Sequence, residues 1–472
     1  MTQNEQKFAK ELEKVEIVKT KGTDWEKGFA ESMGKIYLNG WNMSTKQMLY
    51  WEKILNKYIP EERKTISIET IDFSPIKFSD KNKEKIQREA YRVWIKYNKK
   101  GTQEIATGAG KTYIGLMAIQ QHPNDKTYIV VPKIDLQEQW ISELKNVLKI
   151  DEKNIGRVGN GFKEFDKKII VAVVNSLRQE YLTAGLLICD EMHRYGAPEN
   201  FSFIYNGMFD KILGLTATFE RTDGADKMLS NYAPVIYRFS QKEAIDNNIL
   251  TDFELINMQV GLTVDERVSY TKVNNFIREN FSQFENDFNA VRRAARYGGV
   301  MGGVAVDLLR AFQKRRQVVF DSKNKIIKAA HIAILERKKT IIFCEYIKTA
   351  DKIVDLLNSA STRKAGKYHS KMKAKDKEKM LEDFKTGVLK IMVTCKSLDE
   401  GTNIPDCEVA IIVGGTAVKR QMIQRLGRIL RTYEGKGTAK VYQLYIPNTK
   451  DREWMMKSFS LLKNNAKKVR WL

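Results

Sequence analysis

The sequence predicts an α/β protein: two tandem parallel-sheet lobes, a helical insert between them and a small N-terminal domain. Three observations lead there. Short β-branched runs alternate with longer stretches of helical spacing, once in residues 81–250 and again in residues 326–450. Residues 251–325 between them carry a helical apolar stripe and a basic cluster. Residues 1–80 hold 13 basic and 13 acidic side chains, an electrically neutral unit, whereas the chain as a whole has a net charge of +23.

The first strand series is TYIVVP at 127–132, IIVAVV at 169–174, LLICD at 186–190 and ILGLT at 212–216, with a helix expected over Ile134–Val147. The second is TIIFC at 340–344, LKIMVTC at 389–395 and EVAIIVGG at 408–415, with helices near 347–358, 373–385 and 418–430. Short apolar strands separated by helices imply parallel sheets covered on both faces. In the insert, Val273, Phe276, Ile277, Phe284, Phe288 and Val291 recur at 3–4 spacing, the stripe of one long amphipathic helix. Gly298, Gly299, Gly302 and Gly303 then break it. Residues 44–58 read as a short amphipathic helix after an N-cap Ser or Thr, and residues 451–472 as a C-terminal tail.

Charge narrows the function. The 392 residues after 80 hold 68 basic and 45 acidic groups, and residues 289–328 alone hold 10 against 2. Such an excess points to a polyanion, nucleic acid being the usual one. Cys189, Cys344, Cys395 and Cys407 form no C-x-x-C pair, and three of them lie in or at the end of apolar runs, where a thiol behaves as a small hydrophobe. With only four His, a zinc site is not expected. No apolar run approaches the roughly 20 residues that span a bilayer, and the first residues lack an apolar signal core. A cytoplasmic protein without a membrane partner is the expectation, in the host cytoplasm if the chain is of bacteriophage origin.

Two motifs carry nucleotide chemistry. Ala106-Thr107-Gly108-Ala109-Gly110-Lys111-Thr112 stands between a strand-like stretch and a helical run. Phosphates need backbone N–H groups that approach closely, hence the glycines, and they favour a helix N-terminus. Lys111 would reach the β- and γ-phosphates of ATP, and the Thr112 hydroxyl would ligate Mg²⁺. Ile105 replaces the first glycine of the strict pattern. Asp190-Glu191-Met192-His193 directly follows the apolar LLIC, so its carboxylates face the crevice at a strand's C-terminal end. Asp190 can hold Mg²⁺ through water, and Glu191 can act as general base on the attacking water.

On these residues the chain resembles the superfamily 2 helicases and translocases of the DExH kind, over roughly residues 83–450. ATGAGKT resembles motif I, VVPKIDLQEQW at 130–140 motif Ia, DEMH motif II and Thr216-Ala217-Thr218 motif III. TIIFCEYIKTADKI at 340–353 resembles motif IV, LDEGTNIPD at 398–406 motif V and QRLGRILR at 424–431 motif VI. The resemblance implies two RecA-like lobes with ATP between them. It also implies arginine fingers at Arg428 and Arg431, a water-positioning Gln424, and ATP contacts from Asp399 and Gly401. Thr216, Ala217 and Thr218 would couple hydrolysis to movement. Gln87 matches the adenine-reading glutamine of the family, although Ile86 stands where an aromatic often precedes it. Nucleic-acid backbone contacts are implied at Lys133, Asn175, Thr394 and Lys396. In the insert, Arg292 and Arg296 share a helix face, and Arg315 and Arg316 join a second cluster, all four expected on DNA. Trp140 reads as core packing rather than base stacking.

DEMHRYGAPENF, GLTATFERTDG and GTAKVYQLYIPNTKDREWM are most similar to a branch of the superfamily that includes bacteriophage recombination helicases of the UvsW type, eukaryotic repair helicases and restriction-enzyme motor subunits; within it, the compact size and small N-terminal unit favour the bacteriophage branch-migration type. That implies an ATP-dependent DNA helicase acting on branched or duplex DNA without sequence preference in recombination, repair or replication, with recombination or replication proteins as partners. The rival readings are an RNA-remodelling ATPase, the motor subunit of a restriction-type complex, and a non-catalytic, ATP-gated scaffold. No nuclease cluster supports the restriction reading, and the intact Lys111, Glu191 and Arg431 argue against a scaffold.

Overall fold

The computed structural model describes residues 3–38, 51, 54, 58, 73–78, 80–178, 180, 182–221, 223–395, 407–414 and 437–472. Helices Gln3–Lys21 and Asp24–Leu38 pack on each other. Val15, Val18, Ala30, Met33 and Ile36 of these helices form a hydrophobic cluster with Trp51 and Ile54, distinct from the other clusters among the described residues.

The first lobe is one sheet of eight strands. These are β1 (Lys100–Ile105), β2 (Thr127–Val131), β3 (Ile155–Gly159), β4 (Phe162–Lys163), β5 (Ile169–Val173), β6 (Thr183–Asp190), β7 (Met208–Thr216) and β8 (Val235–Phe239). They lie in the order β4-β3-β5-β2-β6-β7-β1-β8, all neighbours parallel except β3 with β4. The buried runs of the expected strands are in place. β1 is the exception in composition, since KGTQEI reads as polar. Its buried Thr102 Oγ1 and Gln103 Nε2 donate to the carbonyls of Ala233 and Ala90, at 2.7 and 3.0 Å, which lowers the cost of a polar strand inside a sheet.

The second lobe is a seven-stranded, all-parallel sheet in the order β11-β12-β10-β13-β14-β9-β15. Its strands are β9 (Phe253–Gln259), β10 (Thr340–Cys344), β11 (Ala365–His369), β12 (Ile391–Cys395), β13 (Val409–Ile412), β14 (Ala439–Tyr445) and β15 (Lys468–Trp471). Together the two sheets give the α/β fold of two RecA-like lobes. The expected boundaries at 325, 326, 450 and 451 move. β9 pairs along its length with β14, and β15 pairs with β9, so the lobe starts near residue 253 and includes the supposed tail. Helix Lys450–Leu462 packs on that same sheet.

The insert is therefore a helical excursion within the second lobe, between β9 and helix Lys323–Leu335. It contains helices Val264–Phe281, Phe288–Tyr297 and Gly302–Phe320. The apolar stripe is real, because Ile277, Phe284 and Val291 share a core with Ala305, Leu308 and Ala311. The single long helix is not. Glu285 and Asn286 adopt left-handed φ of 53° and 56°. Asp287 then starts a new helix, accepting from the N–H groups of Asn289 and Ala290 at 2.8 and 3.1 Å.

The expectation that Arg315 contacts DNA is corrected by its burial, and Arg316 is held from one side. Arg315 is 8% exposed and donates to Asn274 Oδ1 at 3.0 Å; burial lowers its guanidinium pKa. Arg316 pairs with Glu345 at 3.1 Å and lies over the rings of Phe320 and Trp454. Arg315 thus fastens the insert instead of facing solvent, whereas the Arg316 side chain pairs with Glu345 while 37% of it stays exposed.

Beside them, Lys325 and Asp451 form a buried ion pair of 2.6 Å. Lys325 also donates to the Val413 carbonyl at 2.8 Å, and Asp451 accepts from the Ile446 N–H at 2.8 Å. Burial lowers the lysine pKa and raises that of the aspartate, each against the pull of its partner. Desolvation thus dominates, and the pair specifies where the two helices meet more than it stabilises them. Lys325→Met should destabilise the chain by about 3–5 kcal/mol, because it strands the Asp451 carboxylate. Lys325→Met with Asp451→Leu should lose distinctly less. Chemical denaturation of the two variants measures the difference, and equal losses would contradict this account.

Candidate nucleotide site

Residues 106–110 leave β1 and enter helix Lys111–Gln120. Gly108 and Gly110 hold φ of 94° and 82°, conformations that disfavour side chains. Gly110 is the N-cap and gives no side-chain cap, so the first N–H groups of the helix are not claimed by a capping side chain. A Cβ at Gly110 would stand 2.3 Å from Gln87 Nε2. Gln87, 3% exposed, donates from that nitrogen to the carbonyls of Ala109 and Gly110, at 2.9 and 3.3 Å. Its amide hydrogens brace the loop, and Oε1 is left without a partner among the described residues. Lys111 Nζ donates to the Ile105 carbonyl at 3.3 Å, back across the loop. The Thr107 hydroxyl is buried with no hydrogen-bond partner among the described residues.

Asp190 ends β6 and is buried. Its Oδ2 accepts from Trp140 Nε1 at 2.9 Å and its Oδ1 from the Glu191 N–H at 3.0 Å. Burial raises its carboxyl pKa, opposed by the Trp140 bond, the nearby Lys111 charge and the Glu191 N–H. Tyr195 Oη holds the strand end, 2.7 Å from the Asp190 carbonyl and 2.8 Å from that of Val130. Glu191 takes a left-handed φ of 53°, which turns the chain sharply after the strand.

Motif II connects to motif III through His193, whose Nδ1 is 2.9 Å from Thr216 Oγ1. The same hydroxyl accepts from the Thr218 N–H at 3.2 Å and is 3.0 Å from the Thr218 carbonyl. Ala217 lies between these two buried threonines. Arg221 adds a second tie, donating to the His193 carbonyl at 2.6 Å while paired with Asp223.

Tested against Mg²⁺ and ATP, the residues fit. An uncapped helix start, a loop with no room for a Cβ, an orphaned Thr107 hydroxyl and a buried carboxylate near Lys111 suit an anionic, metal-bound ligand. Lys111 would hold phosphate oxygens, and Thr112 and Asp190 the metal, which when bound neutralises phosphate charge.

The remaining candidates divide. Lys133 starts helix Ile134–Asn146 after β2, and Asn175 lies in the turn after β5, accepting from Arg178 at 3.1 Å. Both stand at the C-terminal ends of strands, beside the motif II end of the sheet. Arg292 and Arg296 are exposed, over the rings of Phe288 and Tyr297. Thr394 is 1% exposed within β12, so a direct backbone contact from it is corrected to a strand-core position. Lys396, Asp399, Gly401, Gln424, Arg428 and Arg431 lie outside the described residues. The sequence reading missed Trp140, Tyr195 and Arg221 as supports of the site. Trp140 sits on an apolar helix face, which signals core and hides its one N–H donor.

A family described as "Type III restriction enzyme, res subunit" matches residues 80–221, and one described as "Helicase conserved C-terminal domain" matches residues 322–433. The chain is 30% identical over 396 residues to a "DNA 3'-5' translocase XPB2" of Sulfurisphaera tokodaii, covering 80% of this chain and 85% of that one. It is 24% identical over 368 residues to a "DNA 3'-5' helicase XPB" of Kineococcus radiotolerans, covering 75% of this chain and 58% of the relative. Among solved structures, the Hef helicase domain of Pyrococcus furiosus superposes with a TM-score of 0.55 at 16% identity, over 80% of this chain and 97% of that one. That likeness speaks for the fold. A relative at 30% identity across four fifths of the chain speaks for more: the chain belongs to the superfamily 2 helicases, with XPB-type proteins as its relatives, and is a nucleic-acid-dependent ATPase of that kind.

Proposed function

We propose that the chain is an ATP-driven DNA translocase that remodels branched or duplex DNA during recombination, repair or replication, moving 3′ to 5′. The observation that carries the reading is the continuity of one sheet end. Motif Ia meets motif II through Trp140 and Asp190, and motif II meets motif III through His193 and Thr216. Groups fit for hydrolysis are thereby wired to the segment that begins at Lys133. The names of the XPB relatives support DNA and the direction of movement. The likeness of DEMHRYGAPENF and GLTATFERTDG to the branch that includes UvsW-type helicases supports DNA as substrate, and the compact size with a small N-terminal unit favours branched substrates and a bacteriophage source within it. Recombination or replication proteins of the host cytoplasm are then the natural partners.

The exposed arginines of the insert would grip the backbone. Arg292 and Arg296 face solvent on helix Phe288–Tyr297, and contacts of this kind supply affinity without sequence information.

Three measurements test the proposal. ATPase rates against single-stranded DNA, duplex DNA, forks, four-way junctions and RNA should rise most with branched DNA. Strongest stimulation by RNA would return the chain to the RNA-remodelling reading. Lys111→Ala should abolish hydrolysis, whereas Glu191→Gln should keep Mg²⁺·ATP binding and lower kcat by about 10²–10⁴-fold. Hydrolysis at the wild-type rate in Lys111→Ala would remove this loop from the chemistry. Replacing Arg292 and Arg296 by Ala should flatten the slope of log K against log salt on duplex DNA by up to about two units. An unchanged slope would leave the insert as a structural element only.

A further inference from the structure

We infer that Trp140 is a positioning residue for the metal-holding carboxylate, transmitting the place of the motif Ia helix to Asp190 through a single N–H···O bond. The inference rests on the nucleotide site described above and names a part of it that the motif pattern does not.

Four observations converge. Trp140 is 1% exposed, and its Nε1–H reaches Asp190 Oδ2 at 2.9 Å. An indole has one donor and no acceptor, so this bond is its whole polar commitment. The ring occupies space that the phosphate-loop helix leaves open, since a Cβ at Gly115 would stand 2.6 Å from Trp140 Cη2. The helix bearing Trp140 is itself pinned, because Gln137 donates to the carbonyls of Val158 and Val171 at 3.1 and 2.7 Å. Trp140 is two turns beyond Lys133, where the helix begins. A shift of this helix against the sheet therefore moves a hydrogen bond on the carboxylate.

The geometry is that of a partner orienting a metal-binding group from outside the coordination sphere, a role whose loss typically costs 10–100-fold in metal affinity. A tryptophan that merely fills the core would find an acceptor of convenience, and its N–H could be removed without consequence for the metal. The Asp190 side chain argues otherwise. Its two oxygens are each held by one donor, Trp140 on Oδ2 and the Glu191 N–H on Oδ1, which fixes the plane of the carboxylate. Without the indole donor that plane is free to turn about the Glu191 contact.

The test uses the full chain and a fluorescent, non-hydrolysable ATP analogue, titrated in Mg²⁺ and again in EDTA. Trp140→Phe keeps the aromatic bulk and removes the N–H. The expected result is a loss of about tenfold or more in the affinity gained from Mg²⁺, with affinity in EDTA within about twofold of wild type and an unchanged circular dichroism spectrum. Gly115→Ala retains the indole but displaces it, and should lose the same Mg²⁺-dependent gain. If Trp140→Phe binds no analogue even in EDTA, Gly115→Ala decides: a wild-type Mg²⁺ gain there overturns the inference. A wild-type Mg²⁺ gain in a folded Trp140→Phe also overturns it. Failure of the wild type to bind the analogue would instead defeat the nucleotide-site reading itself.

Discussion

A carboxylate buried at the end of β6 is the constraint around which the first lobe is built. Removing an ionised group from water costs several kcal/mol unless donors replace the lost hydration. Asp190 has two such donors, the indole N–H of Trp140 and the N–H of Glu191, and the nearby positive charge of Lys111 adds to them. Each comes from a different element, so satisfying one oxygen atom pair also fixes the motif Ia helix, the turn after β6 and the phosphate loop against one another. The left-handed Glu191 is part of the same bargain. Its left-handed φ turns the chain away from the sheet directly after the N–H that reaches Oδ1.

The second lobe solves a different problem, that of carrying a basic helical excursion without losing its register. The excursion leaves after β9 and returns before β10, and both strands are interior to the sheet. Its exit and entry are tied by one buried ion pair, Lys325 with Asp451, and by two part-buried contacts, Arg315 with Asn274 and Arg316 with Glu345. Such contacts contribute little net stability, yet an incorrect packing would leave charges unpaired, and that penalty selects one arrangement. Part of the positive charge of residues 289–328 is thus spent inside the protein, and the fraction available to DNA is smaller than the charge count implies.

The apolar runs of β2, β5, β6, β7, β10, β12 and β13 were legible from sequence because a doubly covered strand must be apolar throughout. β1 was not, since its Thr102 and Gln103 are acceptable inside only through partners 131 and 13 residues away. β9 and β15 escaped for a topological reason. Pairing of Phe253–Gln259 with Ala439–Tyr445 joins segments on either side of the insert, and no local pattern reveals that. The break at Glu285 and Asn286 was masked by an apolar stripe that continues through it, because the two helices on either side bury the same face. In the site, glycines and carboxylates announce themselves by chemical type, whereas Trp140, Tyr195 and Gln87 act through one polar atom on an otherwise buried body.

The direction of the arginines shows why residue type and spacing identify a nucleotide site better than a nucleic-acid surface. A phosphate loop needs particular backbone angles, and only a few sequences supply them, so Gly108, Gly110 and Lys111 constrain their own geometry. A backbone-binding surface needs only positive charge facing outward, and many sequences supply that. Arg292 and Arg315 are equivalent by composition and both belong to helices of one insert. One faces solvent over Phe288, and the other is sealed against Asn274. What separates them is the helix face each occupies relative to the rest of the lobe. For Arg315 that face is set by the packing of helix Gly302–Phe320 on helix Val264–Phe281, which brings Asn274 against the guanidinium, a contact 41 residues away in sequence.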